Sequence, residues 1–207
     1  MYTGTLFIIS APSGTGKSTL MQQIFKKKIL NKIAVSVSHT TRSMRKGEKD
    51  GEHYYFVSKK EFKNMIKKKY FLEYAKIFNN YYGTSKLIVK KFLSLGFDIF
   101  LIINWEGAQN IRKRISNSKS IFLLPPSKKE LHRRLQNRGQ DSDLVIKKRM
   151  KKAVSEISHY HEYDYIVVNN KLKTALFDLS NIILANRLRT SYQKQKKNNL
   201  IKKLLNC

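Results

Sequence analysis

Residues 11 to 18 read Ala-Pro-Ser-Gly-Thr-Gly-Lys-Ser and follow directly on an apolar run at residues 6–9. Glycines allow backbone N–H groups to approach an anion closely, and the positive end of a following helix dipole favours the same anion. In such a loop Lys17 reaches the β- and γ-phosphates, while the hydroxyl of Ser18 ligates Mg²⁺. The order of buried strand, glycine-containing loop and helix therefore predicts a cradle for the phosphates of a nucleoside triphosphate.

This phosphate loop meets the pattern G-x-x-x-x-G-K-[ST] except at its first position, where alanine replaces glycine. The residues predicted to bind the triphosphate extend from that alanine into the first turn of the following helix. They are Ala11, Pro12, Ser13, Gly14, Thr15, Gly16, Lys17, Ser18 and Thr19.

Length and composition indicate one globular domain. The chain has 207 residues, 41% of them hydrophobic, which suits a sizeable core. Its one cysteine, Cys207, has no intrachain partner, so a reducing, cytoplasmic compartment is expected. The apolar run near the start lacks preceding basic residues, so we interpret it as a core strand rather than a signal peptide. No run approaches ~18 apolar residues, and no membrane span is predicted.

The charge balance is strongly basic, since 42 Lys and Arg against 14 Asp and Glu give a net charge of +28. Such a balance prompts a nucleic-acid interpretation. The lysines nevertheless lie in scattered clusters, many of them beside helical apolar positions, as on solvated helix faces. We therefore expect no specific nucleic-acid partner, and the sequence leaves the oligomeric state open.

Strand-like and helix-like segments alternate, which predicts an α/β fold with a parallel sheet flanked by helices. The predicted strands span residues 6–10, 33–37, 98–103, 120–124 and 165–168. The predicted helices span residues 17–28, 86–95, 108–115, 128–137, 144–158 and 172–197. Between a strand and a helix, Pro125 and Pro126 end the strand, and Ser127 is placed to cap the helix.

Two segments interrupt this alternation. Residues 38–84 are polar, aromatic and charged, with a short strand predicted at 54–57 and a short helix at 59–69, and they indicate an inserted lobe. Residues 138–143 form a charged, glycine-containing joint between two helices, which suits a moving lid. After Asp178 the chain has no acidic residue, and its basic end is predicted to continue as a frayed helix.

The inserted lobe carries residues that suit a second phosphate. Arg42 and Arg45 stand three apart, and Tyr54 and Tyr82 follow. Guanidinium and hydroxyl groups bind phosphate through bidentate and charge-assisted hydrogen bonds. Together with the phosphate loop, the stretches V-S-x-T-T-R-x-x-R-x-G-E, N-Y-Y-G-T, P-P-S, R-G-x-D-S and I-V-V-N resemble the guanylate kinase family over essentially the whole chain.

The resemblance implies transfer of the γ-phosphoryl group of ATP to GMP, with ADP and GDP as products and Mg²⁺ as the accompanying ion. It also implies the P-loop nucleoside monophosphate kinase fold, as a single domain over residues 1–207. The core would comprise residues 1–37, 85–136 and 152–207, the GMP-binding lobe residues 38–84 and the lid residues 137–151. Use of dGMP is left open.

The resemblance further implies roles for single residues, by their positions in the motifs. The residues implied to hold the phosphate of GMP are Arg42, Arg45, Tyr54 and Tyr82. Those implied to read or position the nucleotide are Ser38, Glu73 and Thr84. The residues implied to be catalytic are Lys17, Arg42, Arg138 and Arg149, and the last two would close over the phosphates of ATP. We interpret Arg133 and Arg134 as helix-surface residues.

Glu73 has a chemical rationale of its own. Guanine presents adjacent N1–H and N2–H donors, which a carboxylate accepts as a pair, whereas adenine has an acceptor at N1. A buried carboxylate facing adenine stays unpaired, and such sites reject the wrong ligand by roughly 10⁴ or more. We therefore expect Glu73 to select guanine over adenine.

Residues 99–107 depart from the family pattern L-D-I-D-x-Q-G. Ile102 and Asn104 stand where the family has aspartates, and Glu106 stands where it has glutamine. The aspartates normally help to organise the Mg²⁺ region, the arginines and the guanine edge. Two alternatives therefore stay open: a non-catalytic or weakly active guanylate-kinase-like binding module, and a kinase for another nucleoside monophosphate. The intact phosphate loop and the lid arginines favour the enzyme.

Overall fold

The structure is a computed structural model, and it describes residues 4–27, 30–45, 47–77, 79–137 and 142–205. The chain divides into two compact units. One, here called the loop unit because it holds the phosphate loop, comprises Ala11–Lys32 and Ile121–Cys207. The other, here called the lobe unit because it holds the predicted inserted lobe, comprises Tyr2–Ser10 and Ile33–Ser120.

The lobe unit contains three neighbouring strands that pair in parallel. Strand β7 (Asp98–Ile102) lies between β1 (Leu6–Ser10) and β2 (Ile33–Val35), and all its pairings are parallel. Phe7 of β1 pairs with Phe100 of β7, and their rings stack with centroids 5.1 Å apart. Every residue of β1 is buried, as its continuous apolar run predicts.

A second, mainly antiparallel sheet forms the rest of the lobe unit. Its strands are β3 (His39–Thr40), β4 (Tyr55–Phe56), β5 (Phe71–Ile77) and β6 (Asn80–Ser85), in the order β4-β3-β6-β5. The two long strands, β5 and β6, pair antiparallel and bring Glu73 opposite Thr84. Helix α2 (Lys59–Lys67) begins with a capping box.

Two further helices complete the lobe unit, namely α3 (Lys86–Ser94) and α4 (Trp105–Arg114). The prediction that the latter begins at residue 108 is wrong by three residues. The side chain of Asn104 accepts a hydrogen bond from the N–H of Gly107 at 3.1 Å and so caps the helix earlier.

The loop unit alternates helices with two parallel strands. Its elements in chain order are α1 (Lys17–Ile24), β8 (Lys119–Leu124, in this unit from Ile121), α5 (Lys128–Asn137), α6 (Asp143–Ile157), a 3-10 turn (Tyr160–Glu162), β9 (Tyr165–Val168), α7 (Leu172–Leu188), α8 (Thr190–Lys196) and α9 (Asn198–Leu205). Strands β8 and β9 pair in parallel. Helices α5 and α6 share a buried cluster of Leu131, Leu135, Ile146 and Ala153.

The predicted α/β class is confirmed, and several elements have the predicted bounds. Strand β9 and helix α5 begin and end where expected, and Oγ of Ser127 caps α5 by accepting from the N–H of Glu130 at 3.0 Å. The single predicted helix over 172–197 is wrong. At Arg189 the backbone becomes extended (φ −60°, ψ 142°), so α7 ends there and α8 begins. Helix α1 is also shorter than predicted, ending at Ile24.

Among the described residues, the structure contains no helix with the length and apolarity needed to cross a membrane. The division into a core, a GMP-binding lobe over 38–84 and a lid over 137–151 stays a prediction.

Candidate active site

The phosphate loop, residues 11–18, contains two glycines with left-handed backbone angles. Gly14 has φ +89° and Gly16 has φ +92°, which other residues adopt only with strain. Space is short as well, because a Cβ at Gly16 would lie 2.6 Å from Nδ2 of Asn169, and one at Gly14 would lie 2.9 Å from Cδ2 of Leu135. The shape of the loop therefore requires both glycines.

Lys17 begins α1 and holds its ammonium group against the loop. Nζ donates to the carbonyl of Ala11 and, at 3.4 Å, to that of Pro12. Burial lowers the pKa of Lys17 to about 8, although the negative charge of Glu156 acts in the opposite direction. The side chain is a desolvated cation among loop carbonyls, a position from which it can bind phosphate oxygens.

The first turn of α1 offers further groups to a phosphate. Its N-cap is Gly16, which supplies no side-chain cap, and Ser18 and Thr19 are exposed at this end of the helix. In the described part of the chain, no group of three or more His, Cys, Asp or Glu could hold a metal ion. The hydroxyl of Ser18 is an oxygen donor of the kind that Mg²⁺ prefers.

Side chains from other elements of the loop unit fasten the phosphate loop. The carbonyl of Thr15 accepts from Nδ2 of Asn169 at 2.7 Å and from Nη1 of Arg134 at 3.3 Å. Nη1 of Arg149 donates to Oγ of Ser13 at 3.4 Å. The loop is thus held from the segment after β9, from α5 and from α6.

Of the two predicted lid arginines, Arg149 on α6 lies at the phosphate loop, and Arg138 falls outside the described residues. Arg133 is 61% exposed, in keeping with a surface residue. The same interpretation of Arg134 is wrong, because its side chain is only 23% exposed and contacts the loop. Arg134 stands four residues after Glu130, which is the spacing of an ordinary ion pair on a helix surface. The sequence therefore did not indicate its contact with the phosphate loop.

In the lobe unit, the structure brings together Arg42, Tyr54 and Tyr82. The guanidinium carbon of Arg42 lies 5.4 Å from the ring centroid of Tyr54, and the two tyrosine rings are 5.9 Å apart. Arg45 lies on the same loop and is exposed. Burial raises the pKa of Tyr54, so its hydroxyl stays protonated and can donate. Two arginines and two tyrosines form a set suited to a phosphate.

Glu48 contacts both arginines of this cluster, although no role was predicted for it. Its carboxylate oxygens lie 2.7 and 2.9 Å from Nη2 of Arg42, and the N–H of Arg45 donates to it at 2.8 Å. Burial alone would raise the pKa of Glu48, but these hydrogen bonds outweigh burial and hold the pKa below its usual range. The sequence signal that could have indicated this role is the position of Glu48 in R-x-x-R-x-G-E, six residues after Arg42.

Glu73 lies on β5 and is 5% exposed. The hydroxyl of Thr84, opposite it on β6, donates to Oε1 at 2.7 Å. Burial raises the pKa of Glu73, while the hydrogen bond from Thr84 and the positive charge of Arg114 act to lower it. Ser38 is half-buried, and its carbonyl accepts from the N–H of Tyr55 at 2.9 Å.

The residues that replace the family aspartates lie at the end of β7 and the start of α4. Ile102 is the last residue of β7. The side chain of Asn104 is engaged on both sides, because its oxygen caps α4 and its Nδ2 donates to Glu106 at 2.9 Å. Asn104 thus stabilises the start of α4 through its side-chain oxygen and binds the Glu106 carboxylate through its side-chain nitrogen.

An α/β chain with a glycine-containing loop and Lys17 at the start of α1 defines a P-loop nucleotide-binding protein. The model of the family described as "Guanylate kinase" matches residues 3–186. The chain therefore belongs to the guanylate kinase family.

Named relatives cover the whole length of the chain. A guanylate kinase of Buchnera aphidicola subsp. Schizaphis graminum is 60% identical over 99% of this chain and 99% of its own. A guanylate kinase of Salmonella typhimurium is 58% identical over 99% of both chains. The crystal structure of guanylate kinase from Anaplasma phagocytophilum, 34% identical, superposes with a TM-score of 0.77 over 91% of this chain and 89% of that one. The predicted P-loop kinase fold is thereby confirmed.

Proposed function

We propose that this chain transfers the γ-phosphoryl group of ATP to GMP, giving ADP and GDP. The observation that carries the proposal is the buried pair of Glu73 and Thr84, present in a chain whose phosphate loop keeps Gly16, Lys17 and Ser18. Such a pair suits a base with two adjacent donors, and such a loop suits a triphosphate.

ATP binds at the phosphate loop in this proposal. Backbone N–H groups around Gly14 and Gly16 cradle the phosphates, and the ammonium group of Lys17 exchanges loop carbonyls for phosphate oxygens. The hydroxyl of Ser18 would hold a Mg²⁺ ion together with the nucleotide, and that ion would supply positive charge against the phosphates. The hydrogen bond from Nδ2 of Asn169 to the carbonyl of Thr15 keeps the loop in shape while Lys17 exchanges its partners.

GMP binds in the lobe unit, through its phosphate and through its base. Arg42, Arg45, Tyr54 and Tyr82 hold the phosphate, and the fixed position of the Arg42 guanidinium supports this role, because Glu48 and the ring of Tyr54 orient it beforehand. Pre-orientation matters because phosphoryl transfer depends on positioning and charge neutralisation.

Glu73 reads guanine in this proposal, and Thr84 and Ser38 help to position the nucleotide. The ionised carboxylate accepts from N1–H and N2–H, and the Thr84 hydroxyl holds one carboxylate oxygen at 2.7 Å. Adenine offers no donor at N1, so it would leave a buried charge unpaired. The substrate class is therefore a guanine nucleoside monophosphate.

The transferring group is covered by arginines from the predicted lid, Arg138 and Arg149. For Arg149, the contact with the Ser13 hydroxyl of the phosphate loop supports the proposal. Arginines at this position stabilise the charge of a loose transition state and displace water that would otherwise accept the phosphoryl group. With Lys17 and Arg42, they make up the catalytic residues that we propose.

The three-part division into core, GMP-binding lobe and lid, with the bounds predicted above, belongs to the same proposal. Its support is that the two ligand sets fall in separate segments, 11–19 and 38–84. A cytoplasmic location is proposed as well, on the ground that the single cysteine leaves no intrachain disulfide.

The test is a coupled assay of ADP release with ATP, Mg²⁺ and each nucleoside monophosphate in turn. Turnover with GMP, and with dGMP at most beside it, is expected. Lys17→Met abolishes turnover, and Lys32→Met, a change of an exposed lysine in the same unit, serves as the matched control. Tight GMP binding without turnover would instead indicate a binding module, and equal rates with AMP would indicate a different kinase.

A further inference from the structure

The carboxylate of Glu73 is confined on two sides. Oε1 accepts the hydrogen bond from Thr84, while Oε2 faces Gly107 in the first turn of α4. A Cβ at Gly107 would lie 2.9 Å from Oε2, which is closer than carbon and oxygen approach without bonding. We infer that Gly107 is a specificity-determining position, whose missing side chain leaves the Glu73 carboxylate in the place where it reads guanine. This inference rests on the proposed function of Glu73.

The backbone of Gly107 does not explain the glycine. Gly14, Gly16, Gly47, Gly51 and Gly96 have positive φ, whereas Gly107 has ordinary helical geometry that any residue adopts. Glycine is among the least favourable residues within a helix, so α4 by itself would be more stable with alanine at this position. The close approach of the carboxylate is what excludes alanine.

The neighbours of Gly107 also decide which part of the structure would move. A Cβ there would lie 3.1 Å from Oδ1 of Asn104, which would have to move by a few tenths of an ångström, and 3.4 Å from Cδ1 of Ile103, an ordinary van der Waals distance. The tightest contact is with Glu73, whose carboxylate is the end of a flexible side chain. Gly107→Ala should therefore displace the carboxylate and leave the fold in place.

A hydrogen bond links α4 to β5 at the far end of the helix. Nη1 of Arg114 donates to the carbonyl of Leu72 at 2.5 Å, one residue before Glu73. Since this hydrogen bond opposes a movement of β5 away from α4, an added methyl group at Gly107 presses mainly on the carboxylate itself. Reading two adjacent donors needs both carboxylate oxygens in place, and small misplacements at such sites cost up to about 10²-fold in rate.

The experiment compares wild type and Gly107→Ala in KM and kcat for GMP, AMP and ATP. The expected result is a rise of about tenfold or more in KM for GMP and a loss of preference for GMP over AMP, with KM for ATP and the melting temperature preserved. Asn110→Ala, on the exposed side of the same helix, is the matched control and leaves all constants unchanged. An unchanged GMP preference in Gly107→Ala would overturn the inference.

A double-mutant cycle separates a role through Glu73 from a general structural one. In a Glu73→Ala background the clash is gone, so Gly107→Ala should have no further effect on kcat/KM for GMP, and the double variant should fold even if the single one does not. Additive losses would overturn the inference. If wild type fails to phosphorylate GMP, the proposed function itself fails, whereas GMP turnover with a neutral Gly107→Ala defeats the inference alone.

Discussion

Lys17 combines two properties at one residue, a role in binding phosphate and a pKa that burial lowers to about 8. A lysine of ordinary pKa stays charged well above neutral pH, but this one releases its proton within a mildly alkaline range. Phosphate charges next to the ammonium group favour the protonated form and raise the pKa again. ATP binding should therefore be linked to proton uptake at Lys17.

We predict that the chain takes up about half a proton per ATP at pH 8 and much less at pH 6.5, where Lys17 is already charged. Titration calorimetry in two buffers of different ionisation enthalpy measures this uptake. The stability of the fold also depends on this proton. Because the pKa of Lys17 is lower in the folded protein than in the unfolded chain, the free energy of unfolding rises with pH from about 8 to about 10.5. Equal heats in the two buffers at pH 8 would contradict the linkage.

Glu73 shows the opposite shift, since burial raises its pKa. The folded protein binds this proton more tightly than the unfolded chain does, so the carboxylate lowers stability as the pH rises through the pKa of an ordinary glutamate and beyond. The stability cost is therefore absent in acid and grows as the pH rises above the usual range of a glutamate. A residue kept at such a cost is typical of a functional site.

The prediction for Glu73→Gln follows from this cost. At pH 7.5 the variant should melt no lower than wild type, while its preference for GMP over AMP falls by about 10²–10⁴-fold. The stability difference should vanish as the pH falls into the acid range. Thermal melts at several pH values and the coupled kinase assay provide both readouts. A variant that keeps its GMP preference would remove Glu73 from the proposed site.

At the scale of single elements, the phosphate loop depends on a residue from another segment of the loop unit. Asn169 is 6% exposed, follows β9 and donates to the carbonyl of Thr15 at 2.7 Å. Its Nδ2 also occupies the space beside Gly16 that a side chain would fill. The loop therefore takes its shape from its own glycines and from this amide together.

We predict that Asn169→Ala lowers the free energy of unfolding by about 1–3 kcal/mol, because a buried carbonyl loses its better donor. It should also raise KM for ATP and leave KM for GMP unchanged. Urea denaturation and steady-state kinetics measure these effects. Asn170→Ala, at the exposed neighbouring position, serves as the control and should behave as wild type. A rise in KM for GMP alone would be incompatible with this role.

Sequence patterns predicted elements best where local and tertiary preferences agree. The run that became β1 is short and apolar, and all its residues are buried, so burial gives it only one stable form. The run that became β9 is short and apolar and lies between the polar residues Asp164 and Asn169. Strands β5 and β6 did not appear among the predicted core strands, because tyrosines, Lys76 and Glu73 interrupt their apolar pattern. Their pairing comes from the antiparallel register, a tertiary property.

For the candidate site, too, the sequence predicted some of the residues and missed others. The phosphate loop and Arg42 stand in motifs whose chemistry can be stated from sequence alone. Glu48 stands in such a motif as well, but the motif does not show that it orients Arg42. Arg134 has the spacing of an ordinary surface pair, and Asn169 contacts a residue that is far away in the sequence. The role inferred for Gly107 depends on one distance, between its place on α4 and the Glu73 carboxylate on β5. A sequence pattern does not contain such a distance.

For the whole molecule, the dominant property is the net charge of +28. Some acidic groups already neutralise arginines, as Glu48 does for Arg42 and Glu130 for Arg133. The remaining excess is spread over exposed lysines of many helices. Such a field attracts anionic ligands of every kind, including ATP and GMP, without distinguishing among them.

We therefore predict nucleic-acid binding that is real at low salt but has no sequence preference. Fluorescence anisotropy with several oligonucleotides of equal length and different sequence should give equal affinities at 50 mM salt and a loss of at least about tenfold by 200 mM, because counterion release drives the association. KM for GMP, measured in parallel, should change less, since Glu73 and the tyrosines supply uncharged or local contacts. One oligonucleotide that binds far more tightly than the others at 200 mM salt would show that the basic surface has a specific partner.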